Sequence, residues 1–120
     1  MLYMIVVKAS KNSEGAQLPN PTLRLAMDRY NDALDEAGVK VMAKGLKPTS
    51  SAMRISFTTP GEPPIVTQGP FDRPCDSPNN TIAGFFLIDV PSQEEAMAWA
   101  LKCPDPQGDG EGEIELRPLF

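Results

Sequence analysis

The residues able to do chemistry gather around one stretch, VTQGPFDRPCDSPNN at positions 66–80. It carries an amide (Gln68), two carboxylates four positions apart (Asp72 and Asp76) and a thiol (Cys75). Elsewhere Lys44 and Arg54 supply cations, Tyr30 a phenol and Asp89 another carboxylate. Gln68 can both donate to and accept from a polar small molecule, but an amide does not titrate and is no general acid or base. Arg54 is either a solvated edge residue or the partner of a ligand carboxylate. Lys44 is either surface or a holder of an anionic group at the mouth of a pocket. Tyr30 is a core ring with its hydroxyl at the rim, or a catalytic phenol. Asp89 either serves the chain reversal before a helix or belongs to a site at a strand end. An acid–base enzyme would have to draw on Asp72 or Asp89, with Tyr30 or Lys44 as proton donor.

Much chemistry is excluded by what is missing. The chain has no histidine, so imidazole-based triads and histidine metal sites cannot form. Asp72 and Asp76 could in principle meet a divalent cation, but no further ligands stand at suggestive spacing. The acids at 105, 109, 111, 113 and 115 read as a solvated acidic segment, since their spacing does not match a calcium loop. No metal and no cofactor is expected. Two cysteines do not make a disulfide framework; Cys103 reads as a small core residue, and Cys75 has no evident base beside it. Asn79-Asn80-Thr81 matches a glycosylation acceptor by chance, because no secretory signal precedes it.

Composition sets the frame for these groups. At 120 residues and 41% hydrophobic, the chain suits one domain over 1–120 with one core. Sixteen acids against 11 bases leave a net charge of −5, with no Lys/Arg run, so neither nucleic acid nor an anionic membrane is an expected partner. The opening apolar run, LYMIVV, is too short for a spanning helix and makes a poor signal peptide. A soluble, cytoplasmic protein is the expectation.

The pattern then predicts the elements. LYMIVV (2–7) and AGFFLIDV (83–90) are apolar at both parities, as strands buried on two sides are. In NPTLRLAMDRYNDALDEAG, Asn20 caps a helix, Pro21 opens it and Gly38 ends it. Leu23, Ala26, Met27, Tyr30, Ala33, Leu34 and Ala37 form its apolar stripe. VKVMAKGL is a second strand. MRISFTT and IVTQG make a hairpin around PGEPP, with one face of the first arm wet. Ser92 and Glu95 form a capping box for a second helix that buries Ala96, Trp99, Ala100 and Cys103 and stops at Pro104. EIELRPL is a last, half-solvated strand. This order predicts an α+β, ferredoxin-like sheet with two helices on one face, an inserted hairpin, and the two doubly apolar runs at its centre.

Two helices cover one side of a four-stranded sheet. Whichever parity meets them, large apolar side chains face away, so a homodimer packed sheet to sheet is expected. Gly69 and Pro70 read as a turn that redirects the chain out of the hairpin, with Phe71 as its anchor.

Taken in order, YMIVVK, GLKPTSSAMRI, VTQGPF, GFFLIDVPSQEEAMAWALKCP and EIELRP resemble the YCII-related domain family. The closer likeness is to its branch named after an Asp-Gly-Pro-Phe tetrapeptide. The resemblance implies the dimeric α/β-barrel arrangement, in which two ferredoxin-like sheets face each other. One branch of the family has been proposed to be enzymatic through a His–Asp pair. Here the tetrapeptide is Gln68-Gly69-Pro70-Phe71 and no histidine exists, so the resemblance implies a binding role ahead of an enzymatic one. The expected function is a homodimer that holds a small polar or aromatic metabolite near the Gln68–Phe71 turn, with a small-molecule enzyme or a purely structural or regulatory dimer as alternatives.

Overall fold

A computed structural model of the chain describes residues 1–9, 20–71, 81–108, 110 and 112–120. Asp72, Cys75, Asp76, Asn79, Asn80, Asp109 and Glu111, singled out above, lie outside the described residues. The elements run β1 (Leu2–Lys8), α1 (Pro21–Glu36), β2 (Lys40–Gly45), a 3-10 turn (Thr49–Ser51), β3 (Met53–Ser56), β4 (Ile65–Gln68), β5 (Ile82–Asp89), α2 (Gln93–Lys102) and β6 (Ile114–Pro118).

Both helices start where local hydrogen bonding dictates. The Asn20 side chain accepts the Leu23 N–H at 2.8 Å, and Pro21 follows at the first helical position, where its missing N–H costs nothing. Gly38 takes the left-handed conformation past the end of α1, with φ of 72°. Ser92 accepts the Glu95 N–H at 3.2 Å to open α2.

Four strands form one antiparallel sheet in the order β2-β5-β1-β6. The two doubly apolar runs are therefore neighbours at the centre, as expected, and the topology is consistent with a ferredoxin-like fold. Register divides the faces. Tyr3, Ile5 and Val7 pair with Ile88, Phe86 and Gly84 on one side and with Pro118, Leu116 and Ile114 on the other. This parity meets the helices: Tyr3, Ile5, Phe86 and Ile88 form one core with Tyr30 and Leu34 of α1 and Ala96 and Ala100 of α2. Ile5, Leu34 and Ile88 are fully buried. Ala37, expected on the stripe, is exposed, because it caps α1 beyond the last turn that reaches the sheet.

The opposite parity carries two rows across the sheet. One reads Met42, Leu87, Met4, Arg117; the other reads Lys44, Phe85, Val6, Glu115. Apolar side chains hold the middle of each row, and Arg117, Lys44 and Glu115 stand at three of the four ends. Val6 is only 5% exposed, shielded by its large neighbours, while Leu2 and Met42 are open.

β3 and β4 pair with each other and form a separate two-stranded sheet. The half-buried strand expected over 53–59 is corrected here. It ends at Ser56, and every residue of both arms is exposed. Met53, Ile55, Phe57, Ile65 and Val66 are each more than half open, Phe57 at 86%. The alternation read in the sequence is real, but neither side of this ribbon meets the core.

The acidic segment after α2 also differs from expectation at Asp105. Its carboxylate accepts the N–H groups of Gln107 at 2.9 Å and Gly110 at 2.5 Å. These bonds, that from Gln107 foremost, hold the carboxyl below its ordinary value against the opposing effect of burial. Asp105 thus ties the loop together from within.

Truncating Leu34 to Ala should lower stability by about 2–5 kcal/mol in denaturant unfolding, because the site is closed on all sides. Asp105 gives a pH signature of defined sign. Folding lowers its pKa, so its contribution is complete above about pH 3.8 and is lost as pH falls further. In Asp105→Asn, urea midpoints measured below pH 4 should lose the part of the acid-side decline that this group supplies.

Candidate functional site

The expected site residues separate into three places. Arg54, Gln68 and Phe71 come together at the root of the β3–β4 ribbon. Gln68 stands opposite Met53 and Arg54 opposite Thr67 in the ladder. The Arg54 guanidinium lies over the Phe71 ring, 4.1 Å from its centroid, so its charge is engaged by the aromatic face.

Below them the tetrapeptide is locked onto the 3-10 turn. The Gly69 N–H donates to the Ala52 carbonyl at 2.9 Å, and the Phe71 N–H donates to Thr49 Oγ1 at 3.2 Å. The Gly69–Pro70 peptide is cis. A Cβ on Gly69 would drive into the Thr49 carbonyl group, which is backbone and has no rotamer to yield. Glycine is needed here for close approach. This packing supports the structural reading of Gly69, Pro70 and Phe71.

Tyr30 belongs to the core. Its hydroxyl donates to the Trp99 carbonyl at 2.7 Å, and its ring stands edge-on to Phe86, with centroids 5.2 Å apart. Burial, reinforced by the nearby Cys103 thiol, pushes its pKa well above the ordinary phenol value. Burial likewise pushes Cys103 up to about 11, so both groups stay protonated near neutral pH. Cys103 packs at the margin of the core, as its place in α2 suggested.

Asp89 pairs with the Met1 amino group at 2.9 Å, and that amino group also donates to the Val90 carbonyl at 2.9 Å. The carboxylate's partner is thus this amino group at the start of β1. Lys44 lies on β2 opposite Phe85, four positions before Asp89 on β5. The two are therefore roughly 13 Å apart along the sheet and do not share a site.

One cavity, of about 220 Å³, opens between α1 and the β2–β5 side of the sheet. Val7, Met27, Ala43 and Phe86 wall it, and Gly45 and Gly84, paired across the two strands, leave its floor without side chains. Asn31 supplies a polar side chain at its lining. Of the residues singled out for chemistry only Lys44 borders it. Asn31 was missed because the helix pattern put no weight on a lone amide. The glycines did leave a signal, since glycine inside a strand marks close backbone approach or space for a ligand. Gly84 meets the first condition: a Cβ there would sit 2.8 Å from the Lys44 carbonyl oxygen.

Among the described residues no group of three or more His, Cys, Asp or Glu side chains is placed to hold a metal ion. No described helix is long and apolar enough to cross a membrane.

The turn makes a direct prediction. Gly69→Ala should break the contact with Thr49, and hydrogen exchange should show at least tenfold faster exchange at the Gly69 and Ala52 amides. Amides of β1 and β5, which belong to the other sheet, should keep their protection.

No curated protein matches this chain. The sequence pattern of the YCII-related domain covers residues 1–120, the same span that supplies the four-stranded sheet, both helices and the separate ribbon, and the chain belongs to the YCII-related domain family.

Proposed function

We propose that the protein acts as a homodimer of the dimeric α/β-barrel type that binds a small polar or aromatic molecule. The observation that carries this reading is the helix-free face of the sheet. Met4, Val6, Leu87 and Phe85 fill its centre, and neither described helix covers them. The apolar side chains of the ribbon, read as a hairpin inserted into a ferredoxin-like core, add to this open surface. A contiguous exposed apolar patch of several hundred Å² is about the largest an ordinary monomer leaves open. A standard interface takes about 800 Å² from each partner.

Charge supports the same pairing. A two-fold axis running along the strands sets β2 of one copy above β6 of the other. Lys44 of one row end then faces Glu115 of the other, so the two edges are self-complementary. The likeness to the Asp-Gly-Pro-Phe branch belongs to this proposal as well.

Binding is favoured over acid–base catalysis by the state of the candidate groups. Tyr30 donates to Trp99, Asp89 pairs with an amino group, and Gln68 cannot titrate. Analytical ultracentrifugation at micromolar concentration should give twice the chain mass. Leu87→Asp, which places two carboxylates in a desolvated centre, should weaken the dimer at least about a hundredfold. A wild-type chain that sediments as a monomer at that concentration overturns the dimer.

A further inference from the structure

We propose that the cavity beneath α1 binds a single-ring aromatic molecule carrying a carbonyl or carboxylate oxygen. The inference rests on the small-molecule reading above but not on the dimer, because one chain builds the whole cavity.

Shape sets the first part of the claim. Gly45 and Gly84 face each other on β2 and β5 with the same orientation as Ala43 and Phe86. At Gly84 the neighbouring backbone requires glycine. At Gly45 it does not: a Cβ built there meets nothing within 4 Å, and the backbone is not in the left-handed region. Gly45 is itself exposed, so among the described residues the space above it is the open mouth of the pocket. The volume is about 220 Å³, larger than the roughly 150 Å³ that accommodates benzene in an apolar cavity. A ring with one substituent suits it; a nucleotide or a fused multi-ring cofactor does not.

Chemistry sets the second part. The walls are Val7, Met27, Ala43 and Phe86, which favour an apolar body, with the Met27 thioether and the Phe86 ring suited to an aromatic one. Two polar side chains border the cavity, Lys44 and Asn31, and Asn31 is the one held by a hydrogen bond. Its Oδ1 accepts from the Lys40 ammonium at 3.0 Å, and an ammonium can only donate. This pairing assigns the amide: oxygen toward Lys40, NH₂ as the remaining group. Lys40 is itself neutralised by Asp35 at 2.7 Å, so it does not compete for the ligand. The group left to read a ligand is thus a donor, and it selects an acceptor oxygen at one end of the ring.

Benzoate and toluene are the probes, titrated into the full-length protein and followed by amide NMR. Benzoate should shift the Ala43, Gly45 and Ala83–Phe86 amides with affinity of about millimolar order. Gly45→Leu, whose Cβ meets nothing within 4 Å, puts a bulky side chain at the pocket and should weaken benzoate at least tenfold, with thermal midpoint and sedimentation unchanged. Gly45→Ala should give an intermediate loss, so the result does not hang on one variant. Asn31→Ala should weaken benzoate several-fold and leave toluene unaffected. Absence of shifts at these amides up to about 20 mM benzoate, or equal binding by wild type and Gly45→Leu, overturns the proposal. A molecule retained through gentle purification of both wild type and Gly45→Leu would keep the binding reading and refute this location.

Discussion

The antiparallel pairing of β1 with β5 is the constraint from which the rest follows. Each strand alternates large apolar side chains to both sides, so the pair is stable only with cover above and below. The helices supply one cover. Tyr30, Leu34, Ala96 and Ala100 close over Tyr3, Ile5, Phe86 and Ile88, and the flanking strands β2 and β6 satisfy the outer backbone groups. Both described helices lie on that side, and neither reaches the other. Placing β1 and β5 at the centre confines the uncovered residues to one compact band, and Lys44, Glu115 and Arg117 fence it at the edges. A sheet with its apolar strands at the rim would have scattered the same surface.

The groups that look reactive in the sequence are held by local structural demands. The Asp89 carboxylate meets an amino group at the end of β1, Tyr30 completes a carbonyl on α2, and Arg54 lies on the Phe71 ring. Each finds its partner by satisfying a polar atom or covering an aromatic face near its own strand or helix. Gly69 is the plainest case. Its requirement is the nearness of the Thr49 carbonyl, and Gln68 beside it is a strand residue paired with Met53.

Much of the fold was legible because its signals are local or periodic. Asn20, Pro21, Gly38 and Ser92 mark helix ends through hydrogen bonds within a few residues, and the dual parity of 2–7 and 83–90 reports central strands directly. What was not legible depends on contacts between distant segments. Alternation in MRISFTT is the same whether a strand lies on a core or projects from it, so the exposure of Ile55 and Phe57 could not be read from it. Asp105 looked like one acid among several, because its N–H donors come from a loop closing back on it. The cavity was hidden for a related reason: it is made of side chains that are absent, at two glycines brought opposite each other by pairing 39 positions apart in sequence.

β5 connects the two surfaces that matter most. Phe85 and Phe86 are consecutive and therefore point to opposite sides of the sheet. Phe86 stands between Tyr30 and the cavity, while Phe85 lies in the row that includes Val6 on the helix-free face. Gly84, just before them, lets β2 approach closely enough to form both the cavity floor and the edge of that face. The cavity and the proposed interface are thus two sides of one strand segment, separated by a single backbone layer. Lys44 and Phe85 border both, but Gly45 and Leu87 each belong to one side only, so filling the space above Gly45 and placing a charge at Leu87 perturb different faces. That separation follows from strand parity alone, and it lets assembly and ligand binding be examined one at a time in the same domain.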